Sequence, residues 1–254
     1  PLRSRDGGVL VRTGQTEGSV DLCRMAGLYP AACIIEIMKP DGEMARLPDL
    51  KEFCREHKLK MCSVAQIIEH RLARETLVRR IEPAGRPLHT RMGDFTALLY
   101  DSMVDPLPHL VLWMGSAPVP GEVTDVPTLV RMHRRHLLGD VFGDLESGTD
   151  GPTGDVLHGA MSMIQREGRG AVVYLRTGGD FAASDLESRL QRRRDDARDA
   201  DLNDPTNAVP MTQREFGIGG QILRDLGLCK LCLVTASQRT MPGLEAFGLE
   251  IVER

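Results

Sequence analysis

Glu36 stands in the middle of an apolar run, Ile34-Ile35-Glu36-Ile37-Met38. An ionised carboxylate buried there without a partner would be costly. Either the strand end turns Glu36 to solvent, or it is a carboxyl in a low-dielectric wall whose raised pKa suits general acid–base work near neutrality. Upstream, Arg12-Thr13-Gly14-Gln15-Thr16-Glu17-Gly18 reads as a turn into a helix. The free N–H groups at that helix start could receive a phosphate, or Thr16 could cap an ordinary helix.

Other candidates are weaker. Cys229 and Cys232 have the C-x-x-C spacing of half a zinc site or a redox pair. No second pair completes it, and the neighbouring Leu228, Leu231, Leu233 and Val234 favour core thiols of a strand. Arg131, His133, Arg134, Arg135 and His136 form a basic cluster. It could hold a phosphorylated ligand through charge-assisted hydrogen bonds, or it could protect an edge strand with charge. Gly217-Ile218-Gly219-Gly220 has no strand before it, so it does not support dinucleotide binding. His57, His70 and His158 lie on expected helices without partners at metal-ligand spacing and read as structural.

The elements that must position these residues come from one chain of 254 residues, enough for one large domain or two small ones at ~150 residues per domain. Hydrophobic residues make up 41% and charged residues 27%, as in globular proteins. No run approaches the ~18 apolar residues of a membrane span. Lys plus Arg number 32 against 36 Asp plus Glu, a net charge of −4, so no global positive field gathers nucleic acid or anionic lipid. Six cysteines, mostly in apolar stretches, fit a reducing, cytoplasmic setting. The chain opens at Pro1, as if cut from something longer.

Val20, Cys23 and Ala26 recur at helical spacing before Gly27, which predicts a helix over 16–26. Ala31 to Met38 is a short apolar run and reads as a buried strand, as does Leu59 to Cys62. Pro48 opens a second helix, and Ser63 with Gln66 has the capping-box spacing of a third. Residues 1–80 therefore read as part of an α/β layer. The punctuated stretch around Glu82-Pro83-Ala84-Gly85-Arg86-Pro87 reads as a linker. Beyond it, strands are expected at 95–103, 109–114, 128–133, 171–176, 228–234 and 249–252, and helices at 155–167, 184–198 and 218–226. The first three strands have no helix between them, which suggests an antiparallel start to an α+β or mixed α/β domain.

Taken together, these segments resemble a known pair of families. Pro1 to about Leu77, with Arg5-Asp6-Gly7-Gly8-Val9-Leu10, GQTEGSVDLCRMAGL and IIEIMKPDGEMARLPDL, resembles the C-terminal part of 3,4-dihydroxy-2-butanone 4-phosphate synthase. Arg91 to Arg254, with VRMH, GDVFG, EGRG, VVYLR, REFGIGGQILRDLG and GLEAFGLEIVER, resembles GTP cyclohydrolase II. The order is that of fused riboflavin-biosynthesis proteins. The resemblance implies a synthase part over 1–81, a linker over 82–90 and a cyclohydrolase-like mixed α/β domain over 91–254.

For the synthase part, the resemblance implies conversion of ribulose 5-phosphate to the four-carbon phosphate and formate, with Mg2+ or Mn2+ and a homodimeric site. It places the catalytic glutamate on Glu36 and the substrate phosphate on Arg12 and Thr16. The metal-binding His of a His-Thr-Glu motif becomes Gln15, a weaker but still hard oxygen ligand. It also implies an acidic metal loop before Pro1, so that this chain alone should be inactive.

For the cyclohydrolase part, the three zinc-cysteine positions fall on His136, Ser147 and Thr149, which leaves one possible ligand and no zinc site. The catalytic tyrosine position is Gln191 and the aspartate position Thr212; the catalytic arginine survives as Arg214. The triphosphate-binding Glu-Gly-Arg reads Gly178-Gly179-Asp180, an anion where phosphates would lie. A non-catalytic structural or regulatory domain is expected. A non-enzymatic regulator is the alternative for the whole protein, and an active GTP cyclohydrolase is disfavoured by the lost cysteines.

Overall fold

The computed structural model describes residues 1–116, 118–119, 121–148, 151–176, 213–235, 244 and 247–253. The chain divides into two compact units, Pro1–Arg74 and Glu75–Arg254.

The first unit is built on a short 3-10 turn, Gly8–Leu10, and three helices: α1 (Gln15–Met25), α2 (Leu47–Glu56) and α3 (Val64–Arg74). α1 begins after Gly14 in extended backbone and ends at Ala26, followed by Gly27 at φ +70°. α2 has Pro48 in its first turn, and Asp49 accepts the Arg46 N–H at 2.8 Å. At the start of α3 the expected capping box forms: Gln66 Oε1 accepts the Ser63 N–H at 2.9 Å and Ser63 Oγ accepts the Gln66 N–H at 3.2 Å.

Val9 and Leu10 are buried in this unit, as are Ile67, Ile68 and Leu72 of α3. Its polar node is Asp21, buried on α1, which accepts the Val9 N–H at 2.8 Å and Arg71 Nη1 at 2.8 Å. Arg71 Nη1 also donates to the Gly7 carbonyl at 2.7 Å. Gly8 has φ +60°, and a Cβ there would lie 2.2 Å from the Asp21 carboxylate oxygens, so glycine is required.

Two expected strands do not form. Ala31 to Met38 is irregular and mostly exposed, with Ile35 at 91%, and its only ladder contact is the bridge Met38↔Met44. Leu59 to Cys62 is likewise exposed and outside any strand. An apolar run becomes a buried strand only where a neighbour supplies hydrogen-bond partners and a covering face. The 31–38 segment meets a ladder neighbour only at its end, where the Ala45 N–H donates to the Ile37 carbonyl at 3.0 Å, and among the described residues neither segment is covered.

The second unit contains β1 (Val78–Arg80), β2 (Arg86–Thr90), β3 (Gly93–Ser102), β4 (His109–Met114), β5 (Thr128–Arg134), α4 (Leu137–Phe142), α5 (Thr153–Glu167), β6 (Gly170–Leu175), α6 (Gln213–Asp225), β7 (Lys230–Leu233) and β8 (Glu250–Glu253). The strands form one sheet in the order β1-β3-β4-β6-β5-β7-β8, with β2 paired to β3. The β1–β3–β4–β6 side is antiparallel and the β6–β5–β7–β8 side parallel, hence a mixed α/β sheet. Parallel β5 and β6 need a crossover, which α4 and α5 provide.

The stretch read as a linker, 82–90, instead contains β2, paired from Arg86↔Ala97 to Thr90↔Gly93. Its side chains are nearly all exposed, so it carries no hydrophobic period to betray it. β5 is interior, flanked by β6 and β7, which corrects the edge-strand reading of the basic cluster.

Phe95, Leu112, Met161, Ile164 and Val172 form a core between sheet and α5. The glycines of α6 serve close packing: a Cβ at Gly219 would lie 2.2 Å from Met132 Cε, and one at Gly220 2.6 Å from the Phe247 ring. Cys229 and Cys232 are free, half-buried thiols at β7. The helix expected over 184–198 lies outside the described residues, and among those described no helix is long and apolar enough to cross a membrane.

Ile164 has no exposed surface, so Ile164→Ala should destabilise the second unit by about 3 kcal/mol. Urea unfolding followed by circular dichroism checks this; a change below about 1 kcal/mol would contradict the packing described.

Candidate functional site

The turn into α1 brings the first candidates together. Gln15, the first residue of α1, donates from Nε2 to Glu36 Oε1 at 2.7 Å across 21 residues of sequence. A carboxylate accepts only, so the amide nitrogen faces Glu36 and Gln15 Oε1 remains an oxygen donor. Glu36 is exposed rather than set in an apolar wall. The cap of α1 is Gly14, not Thr16, and Thr16 sits half-buried in the first turn. Arg12 is 62% exposed and lies 3.6 Å from Glu17.

Glu17 escaped the sequence reading. It is fully buried, and its Oε1 accepts the Arg5 N–H at 3.0 Å. Its Oε2 lies where a Cβ on Gly14 would come within 2.5 Å. Glu17 thereby fixes the turn that carries Arg12, Gly14 and Gln15. The only sequence signal was an acidic residue in a first helical turn, which is common for dipole reasons alone.

The Gln15 and Glu36 oxygens are the hard donors that suit Mg2+ or Mn2+ rather than zinc. Two such groups do not complete a coordination shell, and among the described residues no group of three or more His, Cys, Asp or Glu could hold a metal.

In the second unit, two of the residues that the resemblance sets against zinc cysteines, His136 and Ser147, make hydrogen bonds to backbone. His136 caps α4, its Nδ1 accepting the Gly139 N–H at 3.0 Å. A neutral imidazole accepting at Nδ1 carries its proton on Nε2, the wrong tautomer for binding a metal through Nε2. Ser147 Oγ donates to the Asp144 carbonyl at 2.6 Å and accepts the Thr153 N–H at 2.9 Å, at the first residue of α5. Gly139 is pressed against this point: a Cβ there would lie 2.3 Å from Ser147 Oγ. His136 is thus the cap of α4, while Ser147 satisfies the first N–H of α5 from outside the helix, and an imidazole accepting at Nδ1 beside a neutral hydroxyl is not a donor set that fits zinc. Thr149, Gln191 and Thr212 lie outside the described residues, as do Gly178, Gly179 and Asp180.

Arg214, in the first turn of α6, is held by buried Asp105 and by the Val104 carbonyl, which its Nη2 meets at 2.9 Å. His109 Nδ1 accepts the Arg176 N–H at 3.0 Å, and its Nε2 lies 3.3 Å from Asp105. Arg214 is thus engaged in an ion pair with buried Asp105.

The basic cluster on β5 disperses. Arg131 donates to the Val234 carbonyl at 2.9 Å, and Arg134 lies 4.0 Å from Glu215. His133 is buried, its Nε2 3.0 Å from Asp140 Oδ1, and stacks on Tyr174 with ring centroids 5.5 Å apart. Asp140 Oδ2 accepts the Tyr174 hydroxyl at 2.7 Å and the His136 N–H at 2.8 Å. Burial alone would raise the Asp140 carboxyl, but the hydrogen bond and charge of His133, with the His136 N–H and the Tyr174 hydroxyl, outweigh it and hold it down at about 2. Burial first, and then the bond to Asp140, push the Tyr174 phenol up.

An oxygen-donor pair at a helix start and a mixed sheet with His136 and Ser147 at helix starts together make a two-part α/β protein. The family model of GTP cyclohydrolase II matches residues 81–254, and that of 3,4-dihydroxy-2-butanone 4-phosphate synthase matches residues 1–70. The chain belongs to the GTP cyclohydrolase II family and opens with a segment of the synthase family. Riboflavin biosynthesis protein RibBA of Aquifex aeolicus is 41% identical over 256 residues, covering 100% of this chain and 60% of the relative. A probable bifunctional riboflavin biosynthesis protein of rice, RIBA 2, chloroplastic, is 42% identical over 257 residues, covering 100% and 44%. The crystal structure of RibBX, a two domain 3,4-dihydroxy-2-butanone 4-phosphate synthase from A. baumannii, is 30% identical with a TM-score of 0.64, covering 96% of this chain and 60% of that one. The chain thus spans 44–60% of the length of these relatives.

Asp140 has its folded pKa below the ordinary value of 3.8, so its contribution is complete above pH 4 and disappears as pH falls toward 2. Asp140→Asn should therefore lower stability at pH 7 by about 2 kcal/mol and flatten the loss of stability between pH 4 and pH 2. Urea unfolding at a series of pH values checks this; an unchanged acid limb would show that the network carries no charge-dependent stability.

Proposed function

We propose that this chain supplies part of a magnesium- or manganese-dependent synthase site that converts ribulose 5-phosphate to 3,4-dihydroxy-2-butanone 4-phosphate and formate, while its cyclohydrolase-like unit is a non-catalytic structural or regulatory domain. The observation that carries this reading is the 2.7 Å hydrogen bond between Gln15 and Glu36, which joins the metal-position residue to the candidate proton-transfer residue.

In this reading the exposed Glu36 carboxylate removes the proton beside the sugar carbonyl, and the Gln15 amide holds the carboxylate in place. Arg12 offers an exposed guanidinium to the sugar phosphate, assisted by Thr16 at the start of α1, where backbone N–H groups favour an anion. A divalent cation with Gln15 Oε1 among its ligands would stabilise the negative charge that develops on the sugar oxygens. The remaining cation ligands come from the synthase segment that its relatives carry ahead of this region, and the functional unit is a homodimer in a reducing, cytoplasmic setting.

The second unit supports the non-catalytic half of the proposal. Opening the guanine ring by hydrolysis calls for a metal-activated water, and the residues His136 and Ser147 are engaged in capping. A non-enzymatic regulator remains the competing reading, because Gln15 spends its amide on Glu36 where the family pattern has an imidazole.

The test uses this sequence joined to the N-terminal synthase segment of its relatives. Ribulose 5-phosphate should be consumed with release of formate only when Mg2+ or Mn2+ is present, and Glu36→Gln should reduce turnover by ~100-fold or more. GTP should yield no formate with zinc. Full activity of the Glu36 variant would remove the proposed base, no turnover by the unsubstituted protein would favour the regulator, and zinc-dependent formate release from GTP would overturn the non-catalytic assignment.

A further inference from the structure

The His133–Asp140–Tyr174 network lies at the end of the sheet where β5 and β6 terminate. The opposite end, where Met114 of β4 pairs with Gly170 of β6, holds a cavity of about 420 Å3. Its volume is in the range of small-molecule sites, roughly 300–1,000 Å3. None of the candidate residues discussed above lines it.

Trp113, Val123 and Leu226 supply apolar wall. Trp113 is 4% exposed, and its Nε1 is spent on the Ser116 carbonyl at 2.7 Å, so the indole is fixed and offers only its ring. The opposite chemistry comes from Arg169, whose Nη2 donates to Thr124 Oγ1 at 3.2 Å. Its Nε is buried and has no acceptor. No carboxylate among the described residues pairs with this guanidinium. A buried N–H of a charged group left without an acceptor is costly, and a carboxylate meets a guanidinium edge through two parallel hydrogen bonds.

The wall is preformed. Thr124 donates its N–H to the Gly227 carbonyl at 2.8 Å, and Gly227 is at φ +74°, where a Cβ would lie 1.9 Å from the Glu122 carbonyl. Glu122 also lines the cavity without pairing to Arg169. Its charge opposes a multiply charged ligand, which selects a monoanion over a phosphate dianion.

We propose that this cavity binds a small monocarboxylate with a flat apolar body, the carboxylate on Arg169 and the body against Trp113. The proposal is independent of the synthase reading.

Trp113 is the only tryptophan of the chain, so intrinsic fluorescence reports on this cavity alone. The purified 254-residue chain is titrated with benzoate, benzyl alcohol and inorganic phosphate. Benzoate should give a saturable change, with an affinity about tenfold or more above either of the others. Arg169→Gln should abolish the preference for benzoate over benzyl alcohol. Val123→Phe, at an exposed rim position, should weaken both aromatic probes about tenfold by filling the cavity. The proposal is overturned by a flat response to benzoate, by equal binding of benzyl alcohol or phosphate, or by an undiminished benzoate preference in Arg169→Gln.

Discussion

A carboxylate removed from water must be met from several sides, and this requirement organises both units. Asp21 gathers the Val9 N–H and Arg71, so that the glycine turn, α1 and α3 converge on one buried charge. Asp140 does the same for β5, β6 and α4 through His133, Tyr174 and the His136 N–H. Asp105 binds Arg214 and lies beside His109, which ties the β3–β4 connection to α6. Removing one partner from such a node leaves an uncompensated charge, typically at a cost of about 3–5 kcal/mol. The nodes are therefore points where the fold tolerates little change.

The same demand acts on backbone groups in the second unit, where the His136 and Ser147 side chains satisfy helix starts. His136 takes up an N–H of α4, and Ser147 bridges the Asp144 carbonyl and the first N–H of α5. Helix ends carry unsatisfied groups, and these side chains meet them. Arg214 follows the same logic, since its charge is balanced within the protein by Asp105. The likeness to the two-domain RibBX structure extends over 96% of this chain.

The first unit retains the opposite character. Its candidate groups, Arg12, Gln15 and Glu36, are exposed, while the groups that hold them, Glu17 and Asp21, are buried. Exposure leaves the Glu36 carboxylate and the Arg12 guanidinium open to solvent, and the buried groups fix the turn beneath them. The apolar stretch around Ile35 shares this exposure, in keeping with a unit that spans 70 residues of the synthase family match.

Where local pattern and local cause coincide, the sequence was sufficient. The Ser63–Gln66 capping box and α1 before Gly27 follow from spacing and caps, and the strands expected at 95–103, 109–114 and 171–176 form within two residues of those bounds, at 93–102, 109–114 and 170–175. β2 was hidden because an exposed strand carries no hydrophobic period, and 31–38 was misread because apolar composition does not supply a full ladder or a covering face. Only the tertiary structure decided that Gln15 meets Glu36, that Glu17 is buried beneath their turn, and that His136, Ser147 and Arg214 are committed to caps and an ion pair. Partners 21 to 109 residues apart are joined by packing, and a side chain's protonation state and availability depend on what packing places beside it.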